Sequence, residues 1–290
     1  MENIMPINNS ESMITTENPA AFNHVQSVIF DWAGTIVDFG SFAPTTIFIA
    51  AFKAQYDFDI SLAEARVPMG LGKWDHIKAV TELPDVAARW QAQFGNAISE
   101  ADIDAIYQTF MPLQIAKVGE HANPIPHAID VVNTLKKQGV KIGSCSGYPR
   151  VVMDKLVPIA AAKGYVPDCV VATDDMPAGG RPAPYMVLKN VIDMAVTDVG
   201  ACIKVDDSVP GIEEGHNAGM WTVGLLLSGN EAGLTLEQYL AADESTLQQA
   251  REKARARFLP FKAHYLIDTI ADLPLVVDAI ELRLAAGERP

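Results

Sequence analysis

The sequence predicts an α/β fold: a Rossmann-like, mostly parallel sheet with helices on both faces, interrupted after its first strand by an inserted all-helical domain. Three observations carry this. Beyond residue 127, short apolar runs alternate with helix-length segments, the pattern of parallel strands joined by crossover helices. The run Ser27-Val-Ile-Phe30 ends at Asp31-Trp-Ala-Gly-Thr35, as a buried strand entering a glycine-containing turn does. From Ala43 to Val118 only helical patterns occur.

Within that stretch, Pro44 suits a first helical turn and is followed by apolar Ile47, Phe48, Ala51 and Phe52. Ser61-Leu-Ala-Glu64 reads as a capping box opening a second helix. Leu71 to Thr81, Pro84 to Phe94 and Ser99 to about Lys117 supply three more. After Asn123-Pro-Ile-Pro126 the rhythm changes. Helices are expected at His127–Gln138, Arg150–Lys163, Ala183–Ala195 and Glu213–Ala218. Strands are expected at Val140–Gly143, Val170–Ala172, Cys202–Val205 and Thr222–Leu226. Gly139, Gly164 and Gly219 mark helix ends. The predicted domains are a polar, disordered tail over 1–23, an α/β core over 24–40 and 122–290, and a helical insertion over 41–121.

Composition narrows the function classes. Hydrophobic residues make up 49% of the 290, enough to bury a core, and the formal net charge is −14. That surface repels nucleic acid and anionic membranes, so neither is an expected partner. A small anionic substrate would need local cations or a metal to hold it. The three cysteines, 145, 169 and 202, lack metal-site spacing and are odd in number, which argues for a reducing compartment. No apolar run reaches the ~18 residues of a membrane span. The tail lacks the basic start and apolar centre of a secretory signal. A cytoplasmic location is the expectation.

In an open parallel sheet, ligands sit beyond the carboxyl ends of the strands. Asp31, Ser146, Asp174-Asp175 and Asp206-Asp207 all follow predicted strands. An isolated aspartate there is more often a helix cap or turn residue. Several converging on one edge form a hard-oxygen site suited to Mg²⁺.

Val28-Ile-Phe-Asp-Trp-Ala-Gly-Thr35, Lys141-Ile-Gly-Ser-Cys-Ser-Gly147 and Lys204-Val-Asp-Asp207 resemble the first, second and fourth motifs of the haloacid dehalogenase superfamily. The resemblance implies that Asp31 is a nucleophile forming an aspartyl-phosphate, that Ser146 and Gly147 hold phosphate, and that Asp31, the Ala33 carbonyl and Asp207 hold Mg²⁺. It also implies that the helical insertion is a mobile cap. Pro68-Met-Gly-Leu-Gly-Lys-Trp-Asp-His76, Asp174-Asp-Met-Pro-Ala-Gly179 and Gly215-His-Asn-Ala-Gly-Met-Trp-Thr-Val-Gly224 are similar to segments of that superfamily's phosphonoacetaldehyde hydrolase family. The implied reaction is cleavage of the C–P bond of phosphonoacetaldehyde to acetaldehyde and phosphate, and the implied assembly is a homodimer through the cap.

Ala33 and Lys73 explain one another. Most superfamily phosphatases carry a second Asp two residues after the nucleophile, to protonate a leaving alcohol. Here that position is Ala33. A neutral Lys73 amine would instead form a Schiff base with an aldehyde, and the iminium would accept the electrons of the breaking C–P bond. Such an amine needs a pKa far below the ~10.4 of free lysine, which burial at the cap–core boundary and Arg181 or Mg²⁺ nearby would supply. His76, three residues on, shares a helical face with Lys73 and is expected to shuttle protons. Arg181 suits phosphonate oxygens, although the family pattern has one Gly fewer before it. Met69 and Tyr148 are expected to line the site, Cys145 to be a small buried filler. Gly211 stands where many superfamily members carry a further Asp, leaving Asp206 or Asp174 to replace it. The rival readings are a cap-bearing phosphate-monoester phosphatase or phosphomutase, and a degenerate binding protein.

Overall fold

The computed structural model describes residues 21–290. The expected tail over 1–23 lies outside the described residues except for its last three. Two of those are tied down: the Phe22 N–H donates to the Gln138 carbonyl and the Asn23 N–H to the Glu281 carboxylate.

Among the described residues six parallel strands form one sheet: β1 Ser27–Phe30, β2 Lys141–Ser146, β3 Cys169–Ala172, β4 Cys202–Asp206, β5 Trp221–Leu225 and β6 Tyr265–Ile267. Their order is β3-β2-β1-β4-β5-β6. Every pair is parallel, and β1 sits between β2 and β4 with Phe30 level with Ser144 on one side and Val205 on the other. That register brings Asp31, the end of β2 and the end of β4 to one edge, where the chain order reverses. Side chains alternate across the pleat. Val28 and Phe30 join an apolar layer with Trp32, Ile142 and Ile203, while Ile29 joins Cys145, Val171 and Met186 on the opposite face.

Strand β2 runs on to Ser146, beyond the expected Gly143. Ser144, Cys145 and Ser146 carry no apolar alternation, but they pair with Val170, Val171 and Ala172 of β3. The core helices are α6 Ala128–Lys137, α7 Arg150–Ala162, α8 Tyr185–Asp193, α9 Val209–Ala218, α10 Leu236–Ala241, α11 Glu244–Phe258 and α12 Leu273–Ala285. Helix α9 starts four residues before the expected Glu213, with Pro210 in its first turn, where a missing N–H costs nothing. Strand β6 and helices α10, α11 and α12 lie beyond the last element read from the sequence.

Between β1 and β2 come α1 Phe42–Tyr56, α2 Leu62–Arg66, α3 Lys73–Thr81, α4 Pro84–Phe94 and α5 Glu100–Lys117. Ser61 and Ser99 close the capping boxes that open α2 and α5. The insertion has its own apolar core, built on Phe48, Phe52, Ile77, Trp90, Ile106 and Phe110. Each such side chain, fully buried, is worth about 1.5–3 kcal/mol. The connections into and out of the insertion pair with each other: the Ile125 N–H donates to the Ile36 carbonyl (2.8 Å) and that of Asp38 to Asn123 (3.2 Å). Asp38 also accepts from the Ala43 N–H, starting α1, and pairs with His121 at 3.0 Å. Among the described residues no helix is long and apolar enough to cross a membrane.

Candidate active site

The sheet edge and the insertion enclose a cavity of about 20 Å³. Its lining includes Asp31, Ala33, Met69, Lys73, Ser146, Gly147, Tyr148, Arg181 and Asp207. Residues as distant in the chain as Asp31 and Asp207 are thus brought together. Ser41 joins the lining without having been singled out in the sequence, and so do Pro44, read there only as a helix start, and Gly70 of the Pro68–His76 segment.

Asp31, Asp206 and Asp207 each offer a carboxylate oxygen within 4.8 Å of the others, and all three are buried. Burial, followed by the repulsion of Asp206, pushes the Asp31 carboxyl up to about 6. Asp207 is pushed well above the usual carboxylate range by burial, then by Asp31 and Asp206. Buried like charges held this close fit a hard divalent cation, whose charge would return them to the ionised form. Asp207 Oδ2 accepts from the Asn230 N–H at 2.7 Å. A Cβ on Gly34 would lie 2.0 Å from that same oxygen, so glycine is required there both for space and for its φ of +84°.

Asp206 explains Gly211. A Cβ at 211 would stand 1.9 Å from Asp206 Oδ2, so the Asp206 carboxylate fills the space into which a side chain at 211 would project. Ser208 donates to Asp206 Oδ1 from both its N–H and its hydroxyl. Asp174 is elsewhere, accepting from the Arg150 N–H at the start of α7. Of the two candidates to replace the absent acidic residue, only Asp206 joins the cluster.

Arg181 is buried, with Nη2 2.8 Å from Asp31 Oδ1 and 3.3 Å from Asp206 Oδ2, and Nε 2.9 Å from Glu214 Oε2. Beneath it Lys204 Nζ lies 2.9 Å from Asp206 Oδ2 and 3.0 Å from Cys145 Sγ. Burial and Arg181 oppose the Lys204 charge, but Asp206 and Glu214 hold its pKa above the ordinary lysine value. The Cys145 thiol, raised to about 11 by burial and Glu214, stays protonated. Sequence reasoning missed Lys204 and Glu214. A usable signal was present: a lysine inside the apolar strand Cys202-Ile-Lys-Val205 is expensive unless paired.

Lys73 opens α3 on the insertion and is only 5% exposed. Its Nζ lies 4.7 Å from the centre of the Tyr148 ring and 5.7 Å from that of Phe48. Burial brings its pKa down to about 7; Asp31 and Asp207 pull it upward and Arg181 downward. Ser146, at the end of β2, accepts the Tyr148 N–H at 3.1 Å. His76 is one turn beyond Lys73 but does not line the cavity. Its ring stacks on Phe48 at 3.8 Å and its Nε2 meets the Ala65 carbonyl at 2.8 Å. Nε2 is therefore the donor, and Nδ1 is a buried lone pair without a hydrogen-bond partner. Burial and Lys73 hold the ring neutral, well below its usual pKa.

The family model for haloacid dehalogenase-like hydrolases matches residues 25–219. The chain is 71% identical over 266 residues to the phosphonoacetaldehyde hydrolase of Vibrio parahaemolyticus, covering 92% of this chain and 98% of that one. It is 70% identical over 266 residues to the enzyme of the same name from Psychromonas ingrahamii, covering 92% and 90%. The crystal structure of a phosphonoacetaldehyde hydrolase-like protein from Oleispira antarctica superposes with a TM-score of 0.89 at 40% identity, covering 96% of this chain and 100% of that one. With a sheet edge of this composition and relatives this similar over nearly its whole length, the chain belongs to the phosphonoacetaldehyde hydrolase family of the haloacid dehalogenase-like hydrolases.

Proposed function

We propose that this chain hydrolyses the C–P bond of phosphonoacetaldehyde, giving acetaldehyde and phosphate, through a Schiff base on Lys73 and an aspartyl-phosphate on Asp31. One observation carries the reading: a buried lysine brought down to about 7 shares a cavity with Asp31, while the position of the usual general acid is Ala33. At neutral pH a large fraction of such amine is unprotonated and nucleophilic.

The neutral Lys73 amine adds to the aldehyde carbon and, with one proton taken up from solvent, loses water to give a protonated imine. An Asp31 oxygen attacks phosphorus, the C–P bond breaks, and its electron pair passes to the iminium to give an enamine. No oxygen leaves, so the absent acid at 33 is not needed. Water then cleaves the acyl phosphate. Protonation of the enamine carbon and hydrolysis of the imine release acetaldehyde and the free lysine. Tyr148 packs over the amine and Met69 lines the same cavity; both are buried and limit the access of bulk water in this reading. His76 Nδ1, a neutral lone pair one turn from Lys73, is the group in this reading that relays the amine's protons.

Asp31, the Ala33 carbonyl and Asp207 would hold Mg²⁺, and the cation supplies charge neutralisation for the phosphonate oxygens. Arg181 and the Ser146–Gly147 turn orient the same oxygens. A homodimer through the insertion belongs to this reading and is read out by sedimentation.

The test measures phosphate release from phosphonoacetaldehyde and from a panel of phosphate monoesters. Release from the aldehyde, with little from monoesters, is expected. Borohydride added with acetaldehyde should inactivate the enzyme and leave a reduced adduct on Lys73. Efficient monoester hydrolysis, or an adduct on another lysine, would overturn the reading in favour of an ordinary phosphatase.

A further inference from the structure

Arg66 ends α2, seven residues before Lys73, and its side chain leaves the insertion for the core. Nη1 donates to three acceptors: the Gly40 carbonyl at 2.8 Å, the Asn230 carbonyl at 3.1 Å and Asn230 Oδ1 at 3.0 Å. The contact is reciprocal, since Asn230 Nδ2 donates to the Arg66 carbonyl at 3.2 Å. The guanidinium lies 4.6 Å from the centre of the Phe42 ring, and a Cβ on Gly233 would come within 3.1 Å of its Cζ. Asn230 is also the residue whose N–H holds Asp207 Oδ2. Gly40, the other acceptor, is bound through its own N–H to the Ser228 carbonyl in the same loop (2.7 Å).

One side chain of the insertion is therefore fastened to the connection from β1 and to the loop that sets a cluster carboxylate. Neither acceptor segment is helix or strand at these points, so contacts of this kind decide their conformation. We infer that Arg66 is a positioning residue, a latch that couples seating of the insertion, and with it the placement of Lys73, to the loop that orients Asp207. The functional weight of the two ends rests on the roles proposed above for Lys73 and Asp207. The coupling is a matter of geometry and is testable apart from them.

The latch makes a prediction that a surface ion pair would not. When it is released, Lys73 should become accessible while the sheet stays intact. Arg66→Met keeps the apolar stem and removes the donors. The rate of Lys73 modification by a small acylating reagent, read by peptide mass spectrometry, should rise by at least about tenfold, as expected for local opening. Lys204, buried in β4, should stay protected in the same samples. Arg66→Lys should rescue part of the protection, and Asn230→Ala should reproduce part of the effect while adding little to Arg66→Met, because both act on one contact. The kcat should fall alongside. Unchanged Lys73 labelling in Arg66→Met rejects the latch, and so does a parallel rise at Lys73 and Lys204, which would mean general loosening. If Lys73 is not the imine-forming residue, borohydride trapping fails in the parent protein, and the labelling comparison still decides the latch.

Discussion

At Lys73 four influences compete, and their order sets the chemistry. Loss of hydration favours the neutral amine, Asp31 and Asp207 favour the ammonium, and Arg181 again disfavours it; burial prevails. The neutral form accumulates above the lowered pKa, so imine trapping should fall by about tenfold per pH unit below about 7 and level off above it. Trapping that changes only near the ordinary lysine value would show that the amine is solvated. Lys73→Arg should abolish trapping and turnover, because a guanidinium stays protonated. Asp31→Asn should abolish phosphate release yet keep a cooperative unfolding transition, since the amide relieves repulsion with Asp206 and Asp207. Phosphate release near the parent rate from the folded variant would remove the aspartyl-phosphate. Asp31 was legible in the sequence from its place at a strand end, and Ala33 and Lys73 from the resemblance of their segments to known motifs. Lys204 and Glu214 were not, because their partners come from four separate segments.

Between elements, the ends of β4 and α9 share one carboxylate site. Asp206 on the strand and a side chain at 211 on the helix compete for the same volume. Gly211→Asp alone should cost stability through overpacking, typically about 1–3 kcal/mol, and more through like-charge repulsion. Asp206→Gly alone removes the nearest partner of buried Lys204, a change of about 3–5 kcal/mol where such pairs have been broken. The double variant should be more stable than the sum of the two, since each change makes room or restores charge for the other. Chemical denaturation of the four proteins measures the coupling, and strict additivity would show that the two positions do not share a site. Helix α3 shows a different limit. Three-residue spacing correctly put Lys73 and His76 on one side of the helix, yet one lines the cavity and the other stacks on Phe48 behind it. Periodicity gives the face of a helix, whereas the depth of a residue in that face depends on what packs against it.

For the molecule as a whole, the buried acidic cluster should link stability to cation binding. Mg²⁺ at a hundredfold above its Kd should add about 2.7 kcal/mol to the folded state. At one fixed Mg²⁺ concentration the gain should be larger at pH 8 than at pH 5, because protons compete for Asp31 and Asp207, whose pKa values lie above the usual range without the cation, and the Kd rises as they bind. Calorimetric unfolding with and without Mg²⁺ at both pH values checks this, and a shift independent of pH would place the ion elsewhere. Alternation of short apolar runs with helices was sufficient by itself to determine the parallel core. The break in that alternation determined the helical insertion, and the motifs at strand ends and around Lys73 carried the resemblance to the family. These are local properties, carried by periods of two and 3.6 residues and by short motifs. Only the tertiary structure decided that Asp206 fills the site left by Gly211, that Lys204 and Glu214 join Arg181 and Asp206 in one buried ion-pair network, and that Arg66 fastens the insertion to the loop holding Asp207. Each of those depends on volumes and charges meeting from distant segments, and no local pattern in the chain records how far apart two such groups come to rest.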